Sequence, residues 1–248
     1  MSGHSKWAGI KHKKGLIDAK KGKVFSKLTK DITLAAKHGG GNPDANPALR
    51  TILSKARESN MPNENIERAI KKGTGELPGV VYEEVAYEGY AHGGVAVLVE
   101  VTTDNKNRTS AEIRNIFSKR GGNLAGTGSV SWLFHKKGFI LIDKKVVDED
   151  KLMSIVLESG AEDLKTEGDT YEVITDPRDI EKIKTKLQEN NIPYQVAEIT
   201  MLPQTTVKVD KGLASQVLGL VEALEEHEDV QNVYANFDIP DEVLAKAG

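Results

Sequence analysis

Residues 139–201 read FILIDKKVVDEDKLMSIVLESGAEDLKTEGDTYEVITDPRDIEKIKTKLQENNIPYQVAEITM. Four strand-like runs stand out: FILID (139–143), AEDLK (161–165), TYEVIT (170–175) and YQVAEITM (194–201). Two helical runs separate them. The spacing predicts the first over 148–159, capped by Asp148. It predicts the second over 177–190, with Asp176 as cap, Pro177 at the first position and Ile180, Ile183 and Leu187 on the buried stripe. Strand–helix–strand–strand–helix–strand is the ferredoxin-like order.

The flanking segments complete a second unit of the same kind. VYEEVAYEGYA (81–91) and GGVAVLVEVTT (93–103) alternate around a glycine-bearing turn and predict a hairpin. Thr109-Ser110-Ala111-Glu112 has the form of a capping box for a helix with Ile113, Ile116 and Phe117 inside. Gly121-Gly122 ends that helix, and SVSWLF (129–134) reads as a returning strand. The glycines of GGNLAGTGS (121–129) follow a helix and open a strand, the reverse of a dinucleotide fingerprint, so they read as a turn. Downstream, TTVKV (205–209), a helix with Leu213, Val217, Leu220, Val221 and Leu224, and NVYANF (232–237) supply the missing half. The expected architecture is α+β and multidomain: a head over 1–78, a split α/β unit over 79–136 and 204–240, and a ferredoxin-like unit inserted over 137–203.

Upstream of all this, the texture is helical and basic. Val24, Phe25, Leu28, Ile32 and Ala35 form one face of a helix ending at Gly39-Gly40-Gly41. Asn46-Pro47 opens a second helix with Leu49, Ile52, Leu53 and Ala56 inside, and Asn63 is the expected cap of a third with Ile66, Ala69 and Ile70 inside. Gly73 to Gly79 reads as a linker. The preceding arm has no apolar period and places nine lysines between Lys6 and Lys30 against one acid, Asp18. Closely spaced ammonium groups release counterions from phosphates, the main sequence-independent source of nucleic-acid affinity.

The candidate nucleic-acid-binding residues are therefore Lys6, Trp7, Lys11, His12, Lys13, Lys14, Lys20, Lys21, Lys23, Lys27, Lys30, Arg50, Arg57, Lys71 and Lys72. Arg108, Arg114, Lys119 and Arg120 form a secondary basic patch. Trp7 either stacks on an unpaired base or packs back onto the head. Residues 1–72 hold 16 Lys/Arg and 6 Asp/Glu, a balance of +10; the remaining 18 bases and 31 acids balance to −13. A basic head on an acidic body confines anion attraction to one end.

Other chemistries lack their residues. Cysteine is absent, which excludes disulfides, thiol catalysis and thiolate metal sites. The six histidines are scattered without metal-ligand spacing, and no P-loop or nucleophile elbow is present. The reading is a non-catalytic, cytoplasmic protein without metal or cofactor, whose partner is nucleic acid rather than membrane.

SGHSKWAGIKHKK (2–14), AAKHGGGNPDANPALR (35–50) and GGVAVLVEVTTDNKNRTSAEIRNIFSKRGGNL (93–124) resemble the YebC/PmpR family, over a stretch running to about Phe237. Ala91-His92 departs from the Gly-Pro expected there. Members of the family are usually named as probable transcriptional regulators, and it includes the mitochondrial translational activator of cytochrome oxidase subunit I. The resemblance thus implies a regulator of gene expression, acting on DNA or, alternatively, as a translation factor contacting rRNA or mRNA.

Overall fold

The computed structural model describes residues 21–239. Three helices form the head: α1 (Lys21–Gly39), α2 (Pro47–Glu58) and α3 (Asn63–Thr74). Asn46 joins the first two. Its Oδ1 accepts from Leu49 N (3.1 Å), and its Nδ2 donates to the carbonyls of Ala35 (2.8 Å) and Gly40 (2.9 Å). One side chain therefore caps α2 and satisfies carbonyls at the end of α1. Leu28, Ile32, Leu49, Leu53, Ala56, Ile66 and Ala69 fill the centre. Asn63 does not cap α3: Pro62 holds the cap position, with no side-chain bond. Gly73 belongs to α3 rather than to a linker, because a Cβ there would lie 2.4 Å from the Thr33 carbonyl of α1.

The first sheet has the order β3-β1-β2-β9, from β1 (Glu83–Tyr90), β2 (Ala96–Thr103), β3 (Asn123–Leu124) and β9 (Val230–Ala235). All its pairings are antiparallel. Helices α4 (Lys106–Lys119) and α7 (Lys211–Glu225) cover one face, where Val97, Val99, Val101, Ile113, Phe117, Val217 and Leu220 are buried. Ala96, Leu98 and Tyr234 on the other face meet Val130 and Phe134. A parallel pair, β8 (Val207–Lys208) with β10 (Phe237–Asp238), flanks this unit.

The second sheet takes β4 (Phe134–Asp143), β5 (Ala161–Glu167), β6 (Thr170–Thr175) and β7 (Val196–Pro203) in the order β5-β6-β4-β7, all antiparallel. Helices α5 (Glu149–Glu158) and α6 (Ile180–Glu189) lie over Ile140, Ile142, Tyr171 and Val173, the ferredoxin-like arrangement. Strand β2 pairs with β9, more than a hundred residues further along the chain. We propose the head over 1–78, the split unit over 79–136 and 204–240, and the inserted unit over 137–203, with Phe134 to Lys136 already paired to β7.

Three local expectations are corrected. The helix expected from Thr109 begins a turn earlier, because the Oδ1 of Asn105 accepts from Arg108 N (3.1 Å); Thr109 is fully buried inside α4. The strand expected over 129–134 is instead a loop with a 3-10 turn at Ser131–Leu133, and Phe134 starts β4. Helix α6 starts at Ile180 rather than Pro177; Asp176 accepts from Arg178 N (2.9 Å) and closes the turn ahead of it.

Candidate nucleic-acid interface

Helix α1 presents Lys23, Lys27 and Lys30 at intervals of four and three residues, hence on one face. That face meets the end of α7. Lys23 Nζ donates to the Glu226 carbonyl, Lys27 Nζ to that of Glu225 and Lys30 Nζ to that of Glu228, each at 3.0 Å. Carbonyls at a helix C-terminus lack intrahelical partners and carry the negative end of the dipole. These three candidates therefore make the seam between head and body.

Behind them lies a buried polar cluster on Asp229, whose side chain is 2% exposed. Its Oδ1 is 2.5 Å from Lys30 Nζ, itself 11% exposed. Its Oδ2 accepts from Arg108 Nη2 (2.8 Å) and from the hydroxyls of Thr109 (2.6 Å) and Thr103 (3.2 Å). Burial pushes the Asp229 carboxyl up, but the bonds from Lys30, Thr109 and Arg108 outweigh it and hold the group well below the usual carboxylate range. Arg108, expected in a surface patch, serves instead as a partner of Asp229 and Asp104. Glu112, His227 and Asp229 bring three metal-ligand-type atoms within 4.8 Å of one another. Their bonds are internal, however: His227 Nδ1 accepts from Asp229 N (3.1 Å), which leaves Nε2 to donate to Glu112 (2.9 Å).

The remaining head cations face outward. Arg50 and Arg57, seven residues apart on α2, share an exposed stripe, and Lys71 and Lys72 are exposed on α3. With Lys37 at the end of α1, these residues make no ion pair among the described residues. Lys72 also lines a 470 Å³ cleft along the seam, with Asn65 and Arg68 on its wall and Tyr82 and Asp104 opposite. Lys6, Trp7, Lys11, His12, Lys13, Lys14 and Lys20 lie outside the described residues, as does the side chain of Lys21.

Arg114, Lys119 and Arg120 are exposed on the second half of α4 and at its C-terminal cap. Lys119 and Arg120 join His92, Ser215 and Gln216, which no spacing in the sequence links to them. The glycine-rich segment 121–129 turns around the Glu88 carboxylate, which is buried. That carboxylate accepts from Gly128 N (2.7 Å), Val130 N (2.6 Å) and Ser131 N (2.8 Å). Burial pushes Glu88 up, and these amides more than reverse it, leaving its pKa lowered. The loop's anion-binding amides are thus filled by the protein's own glutamate. Beside them Trp132 is 62% exposed, with Nε1 donating to the Ser129 carbonyl (3.1 Å), as the Tyr90 hydroxyl also does (3.1 Å).

Residues 5–76 match the TACO1/YebC protein N-terminal domain, and residues 82–237 match the TACO1/YebC second and third domain. A protein of Dictyoglomus turgidum named probable transcriptional regulatory protein is 60% identical over 245 residues, covering 98% of each chain. A protein of Syntrophus aciditrophicus with the same name is 58% identical over 247 residues, covering 99% of each. The crystal structure of a conserved hypothetical protein from Aquifex aeolicus superposes with a TM-score of 0.79 at 50% identity, covering 92% of this chain and 94% of that one. The chain belongs to the TACO1/YebC family.

Proposed function

We propose that the protein is a non-catalytic regulator of gene expression that binds duplex nucleic acid through its head, acting on DNA in the cytoplasm. The observation that carries this is the division of the head's cations. Lys23, Lys27 and Lys30 hold the head to the body, while Arg50, Arg57, Lys71 and Lys72 are exposed. A head held in a fixed orientation presents its exposed cations in a fixed arrangement, which positions a polyanion without reading its bases. The names of its relatives, probable transcriptional regulatory protein, favour DNA as that polyanion. No helix among the described residues is long and apolar enough to cross a membrane.

A second reading, binding to folded RNA in translation, is favoured by Trp132. An exposed indole fixed by a hydrogen bond suits an unpaired base better than a duplex backbone. Replacing Arg50, Arg57 and Lys71 together by Glu tests the shared core of both readings. Affinity for a duplex should fall roughly a hundredfold and the log–log salt slope flatten by about three, with the melting temperature nearly unchanged. Unchanged affinity would overturn the head as the binding surface. Competition between duplex DNA and a ribosomal RNA fragment at physiological salt separates the two readings: preference for the duplex supports transcription, and preference for the RNA supports translation.

A further inference from the structure

A groove of 480 Å³ lies where the end of α4, the β1–β2 turn and the first half of α7 meet. Its walls carry His92, Lys119, Arg120, Ser215 and Gln216, with Gly121 and Gly219 between them. Each of these five side chains can donate a hydrogen bond, and none makes a side-chain hydrogen bond or ion pair among the described residues. The residues that line the groove include the cations Lys119 and Arg120 and no Asp or Glu.

Two glycines shape the walls. A Cβ on Gly121, whose φ is +71°, would lie 2.1 Å from His92 Nε2, so the imidazole sits directly on that backbone. A Cβ on Gly219 would lie 3.6 Å from Arg120 Nη1, so the guanidinium reaches over α7 at a residue without a side chain. Cations in the last turn of α4 also complement its dipole. That accounts for neither His92 nor the Ser215–Gln216 wall, which belong to other elements.

We propose that this groove is a second phosphate site, taking the backbone of the same nucleic acid that the head binds. The proposal rests on the functional reading above and adds a footprint to it. Helix α4 is 14 residues long, about 20 Å at 1.5 Å per residue. It separates the groove from its own Arg108 end, where Arg108 and Lys30 of the head share Asp229. The head and the groove together make a bipartite contact, in which the acidic remainder of the body repels the strand from any other path.

The test is a series of labelled duplexes of increasing length, titrated with the full-length wild type, with Lys119→Glu/Arg120→Glu and with Ser215→Glu. Lys182→Glu, on the exposed face of α6, controls for net charge alone. The wild type should keep gaining affinity until the duplex spans both sites. The double variant should stop gaining at a shorter duplex, bind long duplexes roughly tenfold more weakly and lose about two from its salt slope. Ser215→Glu should shift in the same direction and Lys182→Glu should not. If the wild type binds duplexes but the groove variants match it in affinity, slope and length dependence, the groove is not a contact and this inference falls alone. If the wild type binds no nucleic acid, the functional reading falls first. Protection of Lys119 from an amine-reactive reagent by inorganic pyrophosphate, but not by the long duplex, would assign the groove to a free phosphate ligand and overturn the backbone assignment.

Discussion

Asp229→Ala should destabilise the protein by about 3–5 kcal/mol, measured by urea unfolding at neutral pH, and should loosen the head from the body. The size follows from what would be left behind. Lys30 would keep a buried ammonium with no counter-charge, and Arg108 and Thr109 would lose their shared acceptor. Breaking a buried pair from one side costs this much because the surviving charge remains desolvated. Replacing both partners, as Lys30→Met/Asp229→Leu, should cost less than Asp229→Ala despite removing more polar atoms. A loss below about 1 kcal/mol for Asp229→Ala would contradict the account of the seam. The same contact predicts an acid response. Since its native pKa is depressed, Asp229 contributes stability that is fully present above the ordinary carboxylate range and is lost as pH falls below about 4. Asp229→Ala should therefore flatten the acid limb of the stability curve.

Glu88→Ala should cost about 3 kcal/mol, concentrated in the loop that carries Trp132. Three backbone amides, from Gly128, Val130 and Ser131, converge on this one buried carboxylate and lose their shared acceptor once it is gone. Hydrogen bonds to an ionised group contribute about 1.5–3 kcal/mol each in isolation, less when the loop can relax towards water. Glu88→Gln keeps one acceptor oxygen and should recover part of the loss. Amide exchange at Val130 and Ser131 should rise in both variants, most in Glu88→Ala. If exchange there stays at the wild-type rate, the carboxylate is not what organises the loop.

An element is legible in the amino-acid sequence when the partner that decides it lies close by in the chain. The order of elements over 139–201 can be read because periodicity, Asp148 and the turn residues all act within a few positions. Asn46-Pro47 is equally local. Thr109 misleads because Thr-x-x-Glu satisfies the form of a capping box, whereas its hydroxyl is buried for the sake of Asp229, 120 residues away. SVSWLF alternates like a strand, yet a glutamate on β1 pulls its amides into a loop. The lysines of α1 show the same limit most clearly. A lysine facing phosphate and a lysine facing a helix C-terminus look alike in sequence, and the carbonyl that decides for Lys27 lies 198 residues on. His92, Ser215 and Gln216 carry no signal at all, since three separate segments meet to bring them together.

The central claim is that the exposed cations of the head, together with the lysines of the arm, bind nucleic acid through its phosphates. The most direct measurement is the affinity of the wild-type protein for one duplex across a range of salt concentrations. The account predicts a straight log–log plot with a slope of about −5 to −7, corresponding to roughly five to eight neutralised phosphates. A slope near zero, or no binding at low salt, would contradict it.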